Sequence, residues 1–176
     1  MTIRNFLCIC SIMLFFVACN QAQHAQKEAD KTAAPTEPIQ TNDGQTIERV
    51  VKSAEEWKAV LTAQEYNILR EAGTERPFTS ELLKNKKEGV YTCAGCNFPL
   101  FDSATKFDSG TGWPSFYQPL NDYCIAEKKD NKYGWNRVEV LCARCGGHQG
   151  HVFEDGPEPT GLRYCINGVA LNFEEK

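Results

Sequence analysis

No stripe of Lys and Arg runs through this 176-residue chain, in which 19 basic residues stand against 23 acidic ones for a formal charge of -4. Little is available to neutralise a phosphate backbone or to sit on anionic lipid, which argues against nucleic acid as a partner and against a polybasic membrane patch. The length is too short for two full domains and suits one ordinary domain with a tail. The N-terminal apolar run, Phe6 to Ala18, falls short of the ~20 residues that a permanent membrane-spanning helix needs. No internal repeat stands out. Histidine is scarce, at 24, 148 and 151 only. Cysteine is not: nine fall at 8, 10, 19, 93, 96, 124, 142, 145 and 165, and the first three lie in the apolar leader.

With Arg4 as its one charge, the segment 1–18 reads as an export signal. Its end, Phe16-Val17-Ala18-Cys19, resembles the lipobox of bacterial lipoproteins, whose cysteine receives lipid and becomes the new N-terminus; Phe16 stands where that pattern usually has Leu. An ordinary signal peptide cut near Ala18 or Ala25 is the alternative. A lipid anchor on Cys19 would hold the chain stably, since two or more acyl chains suffice where one is marginal. The resulting location is the cell membrane or the outer membrane, facing the periplasm. Residues 19–46 offer Gln, Ala, Thr, Lys, Glu, Pro and Asp with almost nothing to bury, so they cannot offset their ordering entropy and read as a flexible tether. The folded domain is expected over 47–176, as a monomer.

Ser53-Ala54-Glu55-Glu56 and Thr62-Ala63-Gln64-Glu65 both have the form of a capping box. Trp57, Val60 and Leu61 follow the first at helical spacing; Tyr66 and Leu69 follow the second, which Gly73 is placed to end. From Val90 the character changes to short extended pieces such as 134–141 and 162–173, divided by turns at Asp130-Asn131, Gly146-Gly147 and Asp155-Gly156-Pro157. The spacing is too tight for crossover helices. A mainly β domain of small antiparallel sheets, opened by short helices, is expected.

Cys93-Ala94-Gly95-Cys96 and Cys142-Ala143-Arg144-Cys145 form two C-x-x-C knuckles. Together Cys93, Cys96, Cys142 and Cys145 supply the four thiolates of a closed tetrahedral zinc site, which would staple the fold without open coordination for catalysis. Two disulfides are the alternative in an oxidising compartment. No organic cofactor is expected.

Two further clusters remain: Ser109-Gly110-Thr111-Gly112-Trp113-Pro114-Ser115-Phe116, and His148 to Pro157 followed by Gly161-Leu162-Arg163-Tyr164-Cys165-Ile166-Asn167. An extended 163–167 points Arg163, Cys165 and Asn167 the same way. Arg163 or a protonated His148 or His151 would then lower the Cys165 pKa and free its thiolate. The bland reading makes Cys165 an inert buried thiol, Trp113 core and the histidines structural.

These segments, with Lys106-Phe107-Asp108 before the first and Arg144-Cys145-Gly146-Gly147-His148 before the second, resemble the peptide-methionine (R)-S-oxide reductase family, the B type, over about residues 57–173. The resemblance implies two small antiparallel sheets with helices at the N-terminal side, and an oxidoreductase that repairs oxidised methionine in proteins, or free methionine (R)-sulfoxide. It implies Cys165 as the catalytic cysteine and Trp113 as the indole that receives the substrate methyl group. His148, His151 and Asn167 match the polar residues around the sulfoxide oxygen, with Asp155, Arg163 and Phe153 supporting the substrate. Attack by Cys165, with His151 as proton donor, would leave a sulfenic acid for a thioredoxin-like reductant. Two departures stand out. Gly168 replaces a common Ser and is expected to loosen the local strand. Thr111 replaces the usual resolving cysteine, which leaves Cys124 as the candidate resolving thiol, or else as a buried hydrophobe with direct external reduction of Cys165. A zinc-stabilised periplasmic binding module with an inert Cys165 is the competing function.

Overall fold

The computed structural model describes residues 37–131 and 136–176. The leader, the Cys19 anchor and the tether up to residue 36 lie outside the described residues, as does the start of the piece expected from Gly134. The chain runs β1 (Ile39–Gln40), β2 (Thr46–Ile47), α1 (Ala54–Val60), α2 (Ala63–Glu71), β3 (Gly89–Cys93), β4 (Pro99–Asp102), β5 (Lys106–Phe107), β6 (Ser115–Phe116), β7 (Ile125–Asp130), β8 (Arg137–Cys142), β9 (His148–Phe153), β10 (Arg163–Ile166) and β11 (Leu171–Glu175). It is mainly β, as expected, with the two short helices ahead of the main strands but behind a small hairpin, β1-β2, that the sequence did not announce.

Both capping boxes form. Ser53 and Thr62 each accept from the backbone of the glutamate three residues on, and Glu56 and Glu65 reach back to the cap N–H groups. Each such cap contributes about 1 kcal/mol to a helix this short. The second helix ends differently from expectation: Ala72, not Gly73, takes the left-handed conformation at φ 54°. Gly73 is needed for closeness, because a Cβ there would meet Asn67 Oδ1 at 2.2 Å.

The strands make a six-stranded antiparallel sheet in the order β5-β6-β10-β9-β8-β7 and a three-stranded sheet in the order β11-β3-β4. Their buried faces meet in an aromatic layer. Phe101 stacks on Phe116 at 4.4 Å between ring centroids, and Tyr91 meets Phe116 edge-on at 5.0 Å. Alternation along β10 decides which residues join that layer: Tyr164 and Ile166 are buried in it, so Arg163 and Cys165 face the other way. The stretch 162–173 is not one strand. A 3-10 turn at Gly168–Ala170 breaks it and carries β11 into the smaller sheet.

The β1-β2 hairpin spans 39–47, all but Ile47 inside the segment read as tether, and turns at Gly44 with φ 80°. The chain behind it is strapped to the second knuckle. Arg49 donates to the Ala143 carbonyl, Val50 N donates to Arg144 O at 2.9 Å, and Arg144 Nε donates to Glu48 O at 3.3 Å.

Candidate active site

Each knuckle is the turn between two strands: Cys93 and Cys96 join β3 to β4, and Cys142 and Cys145 join β8 to β9. All four Sγ atoms lie within 4.8 Å of one another, a set that could hold a metal ion. Cys93 and Cys145 sulfurs stand 3.7 Å apart, and those of Cys96 and Cys142 stand 3.6 Å apart. A tetrahedron with metal–sulfur bonds of ~2.3 Å has edges of about 3.8 Å, whereas a disulfide needs about 2.05 Å. The spacing fits a shared tetrahedral cation. Charge points the same way: contacts with Cys142, Cys93 and Cys96 hold Cys145 far below the ordinary thiol range, while contacts with Cys145, Cys93 and Cys96 push Cys142 well above it. Four sulfurs this close cannot all ionise without a cation between them. Around them, Gln149 Nε2 donates to Cys93 Sγ at 3.5 Å, and Arg70 Nη1 donates to Cys145 O at 3.1 Å.

On the outward face of the six-stranded sheet, strand register assembles a row. Cys165 of β10 lies directly opposite Ser115 of β6 on one side and His151 of β9 on the other, and His151 lies opposite Glu139 of β8. Directly opposed residues have Cβ atoms only about 4.5–5.5 Å apart. The next row pairs Arg163 with Phe153, the guanidinium 4.5 Å above the ring. Asp155 clamps Arg163 through two hydrogen bonds of 2.8 Å.

The two histidines are held by separate carboxylates. His148 Nδ1 bonds Glu139 at 2.7 Å and His151 Nε2 bonds Asp130 at 2.9 Å, while Asp130 also accepts from Arg137 at 2.8 Å. Strict alternation would set residues three apart on opposite faces. A register shift at Val140/Leu141 lets β9 break that rule, and the two rings meet edge-on at 5.4 Å. Burial keeps His151 below the usual imidazole range despite Asp130, so its ring is neutral near pH 7. Its Nε2 proton then points at Asp130, and Nδ1 is the acceptor.

Cys165 is partly buried, and its thiol is not lowered as expected. Burial pushes it up, opposed by the Thr111 hydroxyl, the Arg163 guanidinium and the Ser115 hydroxyl. Desolvation of an anion exceeds what one partly engaged cation returns.

Trp113 lies two residues before Ser115, just ahead of β6. Its indole N–H donates to the Glu75 carbonyl at 3.2 Å. Asn167, expected beside the thiol, has its amide engaged elsewhere: Oδ1 accepts from Glu75 N at 3.0 Å and Nδ2 donates to Gln149 O at 3.0 Å. It ties the end of β10 to β9, and it does so because the strand stops at Ile166. Cys124 is not brought to the site. It sits at the start of β7, with β8 and β9 between it and β10. Its sulfur is fully buried against Asn121 and Leu100 carbonyls, and burial pushes its pKa up to about 11.

Glu75, like Asp130 and Glu139, is a site residue that the sequence does not mark. It is 5% exposed, and its carboxylate accepts from Gly168 N at 2.6 Å and Val169 N at 3.0 Å. One buried acid thereby fixes the turn after Cys165, the Asn167 amide and the Trp113 indole. Nothing in Gly73-Thr74-Glu75-Arg76-Pro77 signals burial.

Compared with known protein families, residues 61–175 match the SelR domain. The chain is 61% identical over 125 residues to the peptide methionine sulfoxide reductase MsrB of Methanosarcina barkeri, covering 71% of this chain and 88% of that protein. It is 55% identical over 127 residues to the protein of that name from Leptospira interrogans, covering 72% and 97%. With its namesake from Pseudomonas putida the identity is 52% over 130 residues, covering 74% and 98%.

Proposed function

The chain belongs to the SelR-domain family of MsrB methionine sulfoxide reductases and is an enzyme of that class, and from that premise we propose that it reduces the R epimer of methionine sulfoxide, in proteins or free, through Cys165. The observation that carries this reading is the cross-strand row Ser115–Cys165–His151–Glu139, which sets a thiol opposite a neutral imidazole.

In the resting state the proton stays on sulfur, because burial holds the thiol up. His151 Nδ1 takes it as substrate enters, and Asp130 stabilises the imidazolium through Nε2. The Cys165 thiolate attacks the sulfoxide sulfur while His151 returns the proton to its oxygen; the S–O bond then breaks as the hydroxyl moves to the Cys165 sulfur, and the transient sulfur–sulfur bond breaks with its electron pair left on methionine. Cys–SH plus sulfoxide thus gives Cys–SOH plus methionine: the substrate sulfur gains two electrons and Cys165 loses two. Trp113, fixed through its N–H, presents a rigid apolar wall for the methyl group. Arg163, locked by Asp155 and Phe153, biases the thiol toward its anion.

Recycling follows the direct route in this reading. Cys124 is buried behind two strands, so an external thiol attacks the Cys165 sulfenic acid, releasing water and leaving a mixed disulfide that a second thiol reduces. A thioredoxin-like dithiol supplies both. Cys93, Cys96, Cys142 and Cys145 hold one zinc ion, which contributes folding free energy and no reaction step. Anchoring at Cys19, facing the periplasm, is part of the same proposal and rests on the leader alone; cell fractionation tests it.

The experiment is Cys165→Ser in the full chain, assayed on separated R and S sulfoxide epimers with a small dithiol. We expect R-specific turnover by the parent, and loss of activity in the variant with folding and metal content unchanged, because an alcohol is far too weak a nucleophile. Substantial turnover by the serine protein would remove Cys165 from the reaction.

A further inference from the structure

The loop where the family resemblance would put a resolving thiol is not a blank. Thr111 Oγ1 stands 3.8 Å from Cys165 Sγ. Behind it, Thr111 Oγ1 and Ser109 Oγ are 2.8 Å apart, Ser109 Oγ and Ser115 Oγ are 2.7 Å apart, and Ser115 Oγ donates to the Trp113 carbonyl at 3.1 Å. Ser115 is also the direct cross-strand neighbour of Cys165. Three hydroxyls therefore run as one chain from the reactive sulfur to the backbone of the indole residue.

We propose that Thr111, Ser109 and Ser115 form a reversible hydroxyl relay that stabilises the Cys165 thiolate and then its sulfenic acid, with Thr111 as a catalytic residue. A hydroxyl has one proton and two acceptor lone pairs and rotates to suit its partners. While Cys165 is a thiol, the donors run outward: sulfur to Thr111, Thr111 to Ser109, Ser109 to Ser115, and Ser115 to the Trp113 carbonyl. Loss of the sulfur proton reverses the chain, so that Ser115 donates to Ser109, Ser109 to Thr111, and Thr111 to the anionic sulfur. No covalent bond changes, and each oxygen keeps its own proton. Linked donors polarise one another, so the bond reaching the anion is stronger than an isolated hydroxyl would give. Once Cys165 bears oxygen, the same Thr111 donor serves that oxygen while the external thiol arrives. Valine at 111 would have the same shape and none of this capacity.

Other charges also face the sulfur and bound what the relay can do. Arg163 lies on the same strand with Asp155 behind it. His151 faces Cys165 from β9, backed by Asp130, and Glu139 lies one strand further. The loop itself contributes Asp108, whose carboxylate accepts from Gly110 N at 3.0 Å. Among the hydroxyls and charges that oppose burial at Cys165, Thr111 stands first, ahead of Arg163.

The inference rests on Cys165 being the nucleophile, and the test separates the two. In the full chain, iodoacetamide labelling of the Cys165 peptide is followed by mass spectrometry against pH for the parent, Thr111→Val, Thr111→Ser and Ser109→Ala, beside turnover of Cys165→Ser. One hydrogen bond to an anion corresponds to about one pH unit at its weaker end. Thr111→Val should move the Cys165 midpoint up by about that amount and cut labelling near pH 7.5 about tenfold, and Thr111→Ser should bring it back. Ser109→Ala, which leaves Thr111 without its donor, should shift in the same direction by less, and decides the matter if the valine protein misfolds. An unmoved midpoint in a folded Thr111→Val protein, or in Ser109→Ala where that protein misfolds, overturns the relay even where Cys165→Ser is inactive. An active Cys165→Ser protein sinks the nucleophile reading instead, and the relay with it.

Discussion

Thr111 also offers the most direct measure of how the site is recycled. Its Oγ1 lies 3.8 Å from Cys165 Sγ, close enough that a longer C–S bond and a small rotation bring a thiol there into bonding range. We expect Thr111→Cys to form a 111–165 disulfide after one equivalent of sulfoxide, seen by peptide mapping, where the parent yields a sulfenic acid trapped by a dimedone reagent. Failure of that disulfide to form would mean that the loop does not present position 111 to the sulfur. Which residues were visible in advance follows from their chemistry. Cys165, Arg163, His151, Phe153 and Asp155 meet on one face because strand alternation and short turns are local properties that a sequence displays. Asp130 and Glu139 were not visible, because a carboxylate on a strand looks solvated until register places it against an imidazole. The Cys165 pKa went the opposite way from expectation because burial depends on the whole sheet, while the Arg163 charge is read from two residues away.

The turn from Asn167 to Ala170 carries more of the site than either strand it joins. Gly168 was expected to loosen this stretch. Instead it is packed tightly: a Cβ there would meet Ser80 Oγ at 1.9 Å, so the position tolerates no side chain unless Ser80 moves. Glu75 holds the turn through the Gly168 and Val169 N–H groups and holds Trp113 through its own carbonyl. Removing a buried acceptor leaves both N–H groups unsatisfied at about 1–3 kcal/mol each. Glu75→Ala should therefore lower stability by about 2–4 kcal/mol in denaturant titration and raise KM for sulfoxide more than it lowers kcat, because the Glu75 backbone, released from the turn, carries with it the carbonyl that holds the indole while Cys165 and His151 stay in register. A fall in kcat alone, with KM and stability unchanged, would contradict this role. The starts of the helices upstream were legible to the residue because capping boxes are written in four letters, Ser53 to Glu56 and Thr62 to Glu65. The break after Ile166 was not, because an extended run and a run interrupted by one 3-10 turn have nearly the same composition.

The four-cysteine cluster and the two larger sheets are coupled through the placement of the cysteines. Cys93 and Cys96 belong to the three-stranded sheet; Cys142 and Cys145 belong to the six-stranded sheet, immediately before the strand that carries His148 and His151. Gln149 lies between the two centres, its side chain on Cys93 Sγ and its carbonyl on Asn167. This much of the architecture was readable, since paired knuckles on separate strands can share a cation only by bringing those strands together. The two-sheet arrangement follows from it and from the aromatic layer. If the ion supplies folding free energy directly, the apo protein loses the bond between sheets and gains a buried cluster of mutually repelling thiols. We expect one zinc per chain by native mass spectrometry. Chelation under mild denaturant should abolish the cooperative thermal transition and the near-ultraviolet signal of the aromatic layer, with Cys165 reactivity rising to that of an exposed thiol as its burial is lost. Readdition of zinc should restore all three. A metal-free chain that melts at the temperature of the loaded one would show that the aromatic layer between Phe101 and Phe116 holds the sheets together unaided, and that the four cysteines are dispensable to the fold.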